Sequence, residues 1–190
     1  MKPAERLGSA VRLLEGCPEF AALVPEVRVN FVFAPPGATG PKDALGVDGR
    51  ITVVGGKPKA SGPVRPGVSD HMARLIFEAR RYDDSISAGL NFRWNEAIHE
   101  FVGEWCREQG LELGLIDRTD EPKELIGRDR GSMPWKIKRL VDSCSGRVPP
   151  VFYENRGWGK EPLFVIVGDD PVPLAERACA IARGYASLSG

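Results

Sequence analysis

The sequence predicts an α/β fold, a layered mixed β-sheet flanked by helices in a single compact domain. Three observations carry this. Strand-like and helix-like stretches interleave over most of the 190 residues. The helical stretches repeat apolar residues at i, i+3, i+4 and i+7, so each has one face to bury. The strand-like stretches are short, rich in Val, Ile and Phe, and bounded by Gly or Pro. No internal repeat or low-complexity tract interrupts the pattern. We divide the chain into an N-terminal helical extension, residues 1–24, and a main domain, residues 25–190.

The elements follow in order. Leu7, Ala10, Val11 and Leu14 are spaced as one helical face, and Gly16 can end that helix. A short turn around Pro18 to Leu23 comes next. Val27, Val29, Phe31 and Phe33 alternate with Arg28, Asn30 and Val32, the period of a strand. Arg50 to Gly55 and Lys57 to Ala60 read as a hairpin turning at Gly55-Gly56. Ser69 is placed to cap a helix whose stripe is Met72, Leu75, Ile76 and Ala79. Ile98, Phe101, Val102, Trp105 and Cys106 form the clearest helical stripe, stopped by Gly110. Leu111 to Ile116 reads as a strand. Ser132, followed by Pro134 in the first turn, starts a helix with Ile137, Leu140, Val141 and Cys144 inward. Val151 to Tyr153 and Leu163 to Val167 are strands, and Pro173 opens a final helix through Tyr185.

Composition narrows the function. Lys+Arg and Asp+Glu are 26 each, which argues against a broad nucleic-acid footprint. No run approaches the ~18 apolar residues of a membrane span, and no signal core follows Met1, so the expected location is cytoplasmic. Cys17, Cys106, Cys144 and Cys179 lack C-x-x-C spacing and read as buried thiols.

His71, one of two histidines, opens a helix behind a loop containing Gly62, Pro63, Pro66 and Gly67. Unpaired N–H groups at a helix start attract anions, and a histidine there can donate to phosphate. A locally hydrogen-bonded histidine is the plainer reading, and Asp70 beside it adds unhelpful negative charge. His99, mid-helix at the edge of an apolar stripe, reads as structural. Arg50, after Gly49, can grip a phosphate through two parallel N–H bonds. Asn91 and Arg93, and the run from Asp117 and Arg118 to Asp120 and Glu121, fall where α/β folds place ligand groups. Asp117, Asp120 and Glu121 are candidates to help hold magnesium, or simply a capped helix entry. Gly157-Trp-Gly159-Lys160 is a glycine-rich loop that fails as a P-loop, because Glu161 replaces Ser/Thr and a strand follows.

Taken in order, Pro18-Glu-Phe20, Pro25-Glu-Val27 followed by Asn30, Ala34 to Ala38, Gly49-Arg-Ile51, Ser69-Asp-His-Met-Ala73, Asn91-Phe-Arg93, Asp117-Arg118 and Gly159-Lys-Glu-Pro162 resemble the ThiN-type thiamine-phosphate synthase domain. The resemblance runs from about Glu5 to Ala182. It implies a transferase that couples hydroxymethylpyrimidine diphosphate to hydroxyethylthiazole phosphate, giving thiamine phosphate and diphosphate. The family's essential arginine and histidine fall on Arg50 and His71. Asn30, Ser69, Asn91, Arg93, Asp117, Arg118, Gly159 and Lys160 are the expected substrate-binding residues. Mg2+ is the cofactor implied by the diphosphate. Family members are often fused behind a pyrimidine kinase; here a separate kinase is expected to supply the diphosphate. Homodimer formation is left open. The chain departs from the family pattern at Asp70, where a basic or small residue is more usual. The alternative is a non-catalytic thiamine-phosphate sensor, which would need a DNA-binding region that the residues before the first strand cannot house.

Overall fold

A computed structural model describes residues 1–122, 124, 129–155 and 161–188 of the protein. The chain runs α1 (Pro3–Glu15), β1 (Phe31–Phe33), β2 (Leu45–Val47), β3 (Ile51–Val54), β4 (Lys57–Ala60), β5 (Val64–Pro66), α2 (His71–Ala79), β6 (Ala88–Arg93), α3 (Glu96–Glu108), β7 (Leu113–Ile116), α4 (Asp129–Ser143), β8 (Val151–Glu154), β9 (Leu163–Gly168) and α5 (Pro171–Ser187). Seven strands form a mixed sheet in the order β5-β2-β1-β6-β9-β8-β7, with β3 and β4 as a separate hairpin. Among the described strands only β7 and β8 pair in parallel. Parallel neighbours need a crossover, and α4 supplies it.

Alternation along the strands divides the core between two faces. Phe164 and Ile166 of β9, with Leu90 and Phe92 of β6, pack under α1, α3 and α5. Val165 and Val167, with Phe152 of β8, pack under α2 and α4. Phe92 and Phe164 stack with ring centroids 4.9 Å apart. Leu7, Ala10, Val11 and Leu14 of α1 belong to the same core as the sheet. The four cysteines are buried free thiols. Burial raises the Cys106 thiol to about 11.

The predicted helices and the β3–β4 hairpin form, the latter through Gly55 and Gly56 at φ 57° and 77°. The first strand is shorter than its alternation suggests. Arg28 adopts a left-handed φ of 67°, and only Phe31–Phe33 join the sheet. Three strands escape the pattern. Strands β2 and β5 have three residues each, and β5 contains Pro66. The third is β6, at the centre of the sheet, where Gly89 and Asn91 break the apolar run. Both residues face α2, and each is there for a reason. A Cβ at Gly89 would lie 2.7 Å from Ile76 Cδ1. The Asn91 amide is used in backbone bonds described below. Helix α4 begins at Asp129, three residues before the expected start at Ser132, with Pro134 inside it.

Candidate active site

A cavity of about 280 Å³ opens on the α2/α4 face, where the sheet's strand ends converge. Starts of β1 and β9 meet the C-terminal ends of β6, β7 and β8 there, because β1–β6, β6–β9 and β9–β8 pair antiparallel while β8–β7 pair in parallel. Ligand crevices in open α/β sheets form at such strand ends. Its apolar wall includes Met72 and Leu75 of α2 with Phe152 and Val165 of the sheet.

The cavity brings together Asn30, Arg50, His71, Asn91 and Arg118. Arg50 precedes β3 rather than starting it, in a turn closed by Arg50 N–H to Val47 O at 3.0 Å. Gly49 and Arg50 are both left-handed, at φ 71° and 69°. For a residue with a side chain that conformation costs on the order of 1–3 kcal/mol, and such strain clusters at functional sites. Arg50 donates from Nη1 to Val27 O at 2.7 Å, which holds the guanidinium at the cavity rim. His71 is the first residue of α2.

Two carboxyl or amide groups lock this rim. Asn91 Oδ1 accepts from Asn30 N at 2.5 Å and Nδ2 donates to Arg28 O at 3.3 Å. Glu161 accepts from Glu26 N and Val27 N, each at 3.1 Å. Asn91 therefore positions segment 28–30 while also lining the cavity.

Arg118 is buried and already paired: Nη1 donates to Glu154 Oε1 at 2.7 Å, and Nε donates to Glu121 Oε2 at 2.8 Å. Asn155 Oδ1 accepts from Arg118 N at 3.0 Å, and Asn155 Nδ2 donates to Asp117 Oδ1 at 2.9 Å. Bonds from Thr119 and Asn155 hold the Asp117 carboxyl below its ordinary range. Asp117 thus braces the loop after β7 and does not line the cavity.

Other expectations need correcting. Ser69 does not cap α2. Asp70 occupies the cap position, and Ser69 Oγ is buried with no hydrogen-bond partner among the described residues. Ser69 and Arg93 lie outside the cavity lining. Asp70 is ion-paired with Arg74 at 2.8 Å, so its charge beside His71 is balanced. Gly159 and Lys160 lie outside the described residues. The magnesium candidates do not converge. Asp117 is used in its loop, Asp120 pairs with Arg139, and Glu121 pairs with Arg118. No group of three His, Cys, Asp or Glu side chains among the described residues is arranged for a metal. These carboxylates do not fit a protein-held magnesium.

Sequence reasoning missed Lys136, Glu154, Asn155 and Glu161 on the cavity lining. Lys136 Nζ donates to Glu154 Oε1 at 2.5 Å and is 1% exposed. A signal for it existed: Lys136 falls on the apolar stripe of Met133, Ile137, Leu140 and Cys144. His99 is structural as expected, packing edge-on to Tyr153 at 4.7 Å.

The model of the family described as thiamine-phosphate synthase ThiN matches residues 6–180. The chain is 35% identical to the thiamine-phosphate synthase ThiN of Methanothermobacter thermautotrophicus, over 98% of this chain and 95% of that protein. It is 26% identical to the bifunctional thiamine biosynthesis protein ThiDN of Methanocaldococcus jannaschii, over 87% of this chain but 37% of that protein. Among solved structures, the C-terminal domain of a phosphomethylpyrimidine kinase superposes with a TM-score of 0.87 at 34% identity, covering 94% of this chain and 97% of that one. The chain therefore belongs to the ThiN family of thiamine-phosphate synthases.

Proposed function

We propose that this chain, a transferase of thiamine biosynthesis by family, couples hydroxymethylpyrimidine diphosphate to hydroxyethylthiazole phosphate. The observation that carries the reading is that Arg50 and His71, from separate segments, border one cavity at the start of α2. In the step, the bond between the pyrimidine methylene and the diphosphate oxygen breaks, and its electron pair leaves with the diphosphate. The lone pair of the thiazole nitrogen then forms the new carbon–nitrogen bond. Negative charge develops on the departing oxygen, so donors fixed at that position before reaction lower the barrier.

Arg50 and His71 are the residues assigned to that charge. The hydrogen bond from Arg50 to Val27 O and the turn at Gly49 hold the guanidinium in place, so less side-chain freedom is lost on binding. Apolar walls at Leu75, Phe152 and Val165 keep water from the forming cation. Magnesium enters this reading as the diphosphate's own counterion, since no three described His, Cys, Asp or Glu side chains converge to hold it. The kinase-linked relatives support a pyrimidine kinase as the source of the diphosphate.

The test mixes the purified protein with magnesium and both substrates and follows thiamine phosphate and released diphosphate. Arg50→Ala and His71→Ala are each expected to lower kcat by about 10²–10³-fold, as loss of one charge-stabilising donor does. Their circular dichroism should remain that of the parent. Folded protein that binds thiamine phosphate and makes none, or full turnover by both variants, overturns the reading.

A further inference from the structure

The inner wall of the cavity holds a group for which the reaction of Arg50 and His71 has no use. Lys136 and Glu154 form an ion pair there, with Lys136 1% exposed and the Glu154 side chain 22% exposed. Desolvating two charges is expensive, and a hydrophobic pair of the same volume is often no less stable. The position on α4 invites such a pair, since its neighbours on the stripe are Met133, Ile137 and Leu140. A lysine kept there calls for a purpose other than packing.

The chemistry of the pair suggests one. Most polar groups on the wall are already committed: Glu161 to two backbone amides, Asn91 to two backbone groups, and Asn155 to Arg118 and Asp117. Glu154 differs. Its bonds from Arg118 and Lys136 both fall on Oε1, and Oε2 takes neither. Lys136 Nζ carries three N–H groups, of which this ion pair uses one. The wall thus sets an ammonium donor beside a carboxylate acceptor, over an apolar floor of Phe152 and Val165. An amidine edge, a ring nitrogen next to an exocyclic amino group, presents the complementary acceptor and donor.

We infer that Lys136 and Glu154 read the aminopyrimidine edge of the diphosphate substrate, Lys136 donating to the ring nitrogen and Glu154 accepting from the 4-amino group. This rests on the proposed reaction for its substrate, and it adds the residues that select it. The ring then lies inward and the diphosphate points out to Arg50 and His71. Arg118, bonded to the same Oε1, positions the carboxylate.

A site that hydrogen-bonds a substrate group rejects an analogue that reverses it, because buried partners are left unpaired. The test measures binding of the 4-amino and the 4-oxo pyrimidine diphosphates by calorimetry without thiazole phosphate, on the parent protein and on Glu154→Gln. The parent is expected to prefer the amino compound by at least about 100-fold. Glu154→Gln, whose amide can donate to the oxo group, is expected to bring that preference below about 10-fold. Lys136→Met, which suits the apolar stripe, provides a second variant should Glu154→Gln not fold. It should weaken the amino compound by about 10-fold or more and leave the KM for thiazole phosphate within about twofold. An unchanged preference in Glu154→Gln, or unchanged binding in Lys136→Met, overturns the inference. Selective binding without turnover would defeat the reaction and leave this assignment standing. Turnover with no amino-over-oxo preference would do the reverse.

Discussion

The face of the sheet under α1, α3 and α5 buries the larger hydrophobic set, and the two faces are used differently. Under α1, α3 and α5 the core is apolar throughout, with stacked Phe92 and Phe164 at its centre. Under α2 and α4 the packing stops short of the strand ends, and the space is walled by Lys136, Arg118 and Glu154. Covering the first face gives the stability that lets the second carry desolvated charge and a left-handed arginine. One domain separates the two jobs by the parity of its strands: residue i faces the closed core, and i+1 faces the ligand.

Three experiments sharpen that contrast. The largest effect is expected from Phe164→Ala on the closed face, which should cost about 3–5 kcal/mol in urea unfolding by leaving a cavity and an unstacked Phe92. A loss below about 1 kcal/mol would show that this face is not the stabilising one. Next is Gly114→Ala on β7, under α4. The added Cβ would lie 2.5 Å from Pro149 Cγ and 2.6 Å from Leu140 Cδ1. Overpacking of this kind costs about 1–3 kcal/mol, and full parental stability would mean that α4 sits loosely rather than leaving one defined cavity. The smallest effect concerns acid. Asp117 is held below its ordinary pKa by Thr119 and Asn155, so its contribution is present above the unfolded value near 3.9 and fades as pH falls through the lower folded value. Asp117→Asn should therefore be slightly less stable than the parent at pH 7, and the gap in urea midpoint should narrow below about pH 4. A gap independent of pH would remove the carboxylate from the account.

Much of this layout is legible in the residues themselves. The stripes of α1, α3 and α5 face one core and need no tertiary information to be read, and the same holds for four thiols without metal spacing. Strand β6 was not legible, because Gly89 and Asn91 answer to a helix and a loop elsewhere in the chain. The site divides the same way. Arg50 and His71 stood in recognisable local sequence, whereas Glu154 and Asn155 sit at an ordinary strand end and gain meaning from partners far along the chain, such as Arg118, 36 or 37 residues away. Ser69 and Arg93 fit motifs yet lie off the cavity, since a motif fixes neighbours along the chain and not the direction of a side chain. Lys136 was readable in principle, as a charge on an apolar stripe.

The clasp from Glu161 to the amides of Glu26 and Val27 spans 135 and 134 residues. Closing so long a loop is entropically unfavourable until strands β1, β6 and β9 have already brought the two segments together. The cavity rim thus depends on a formed sheet, and Arg50, bonded to Val27, depends on the rim. Ligand affinity in this protein is consequently a report on finished folding: a chain with all its helices but an unclosed clasp would look folded to circular dichroism and still fail to hold its arginine in place.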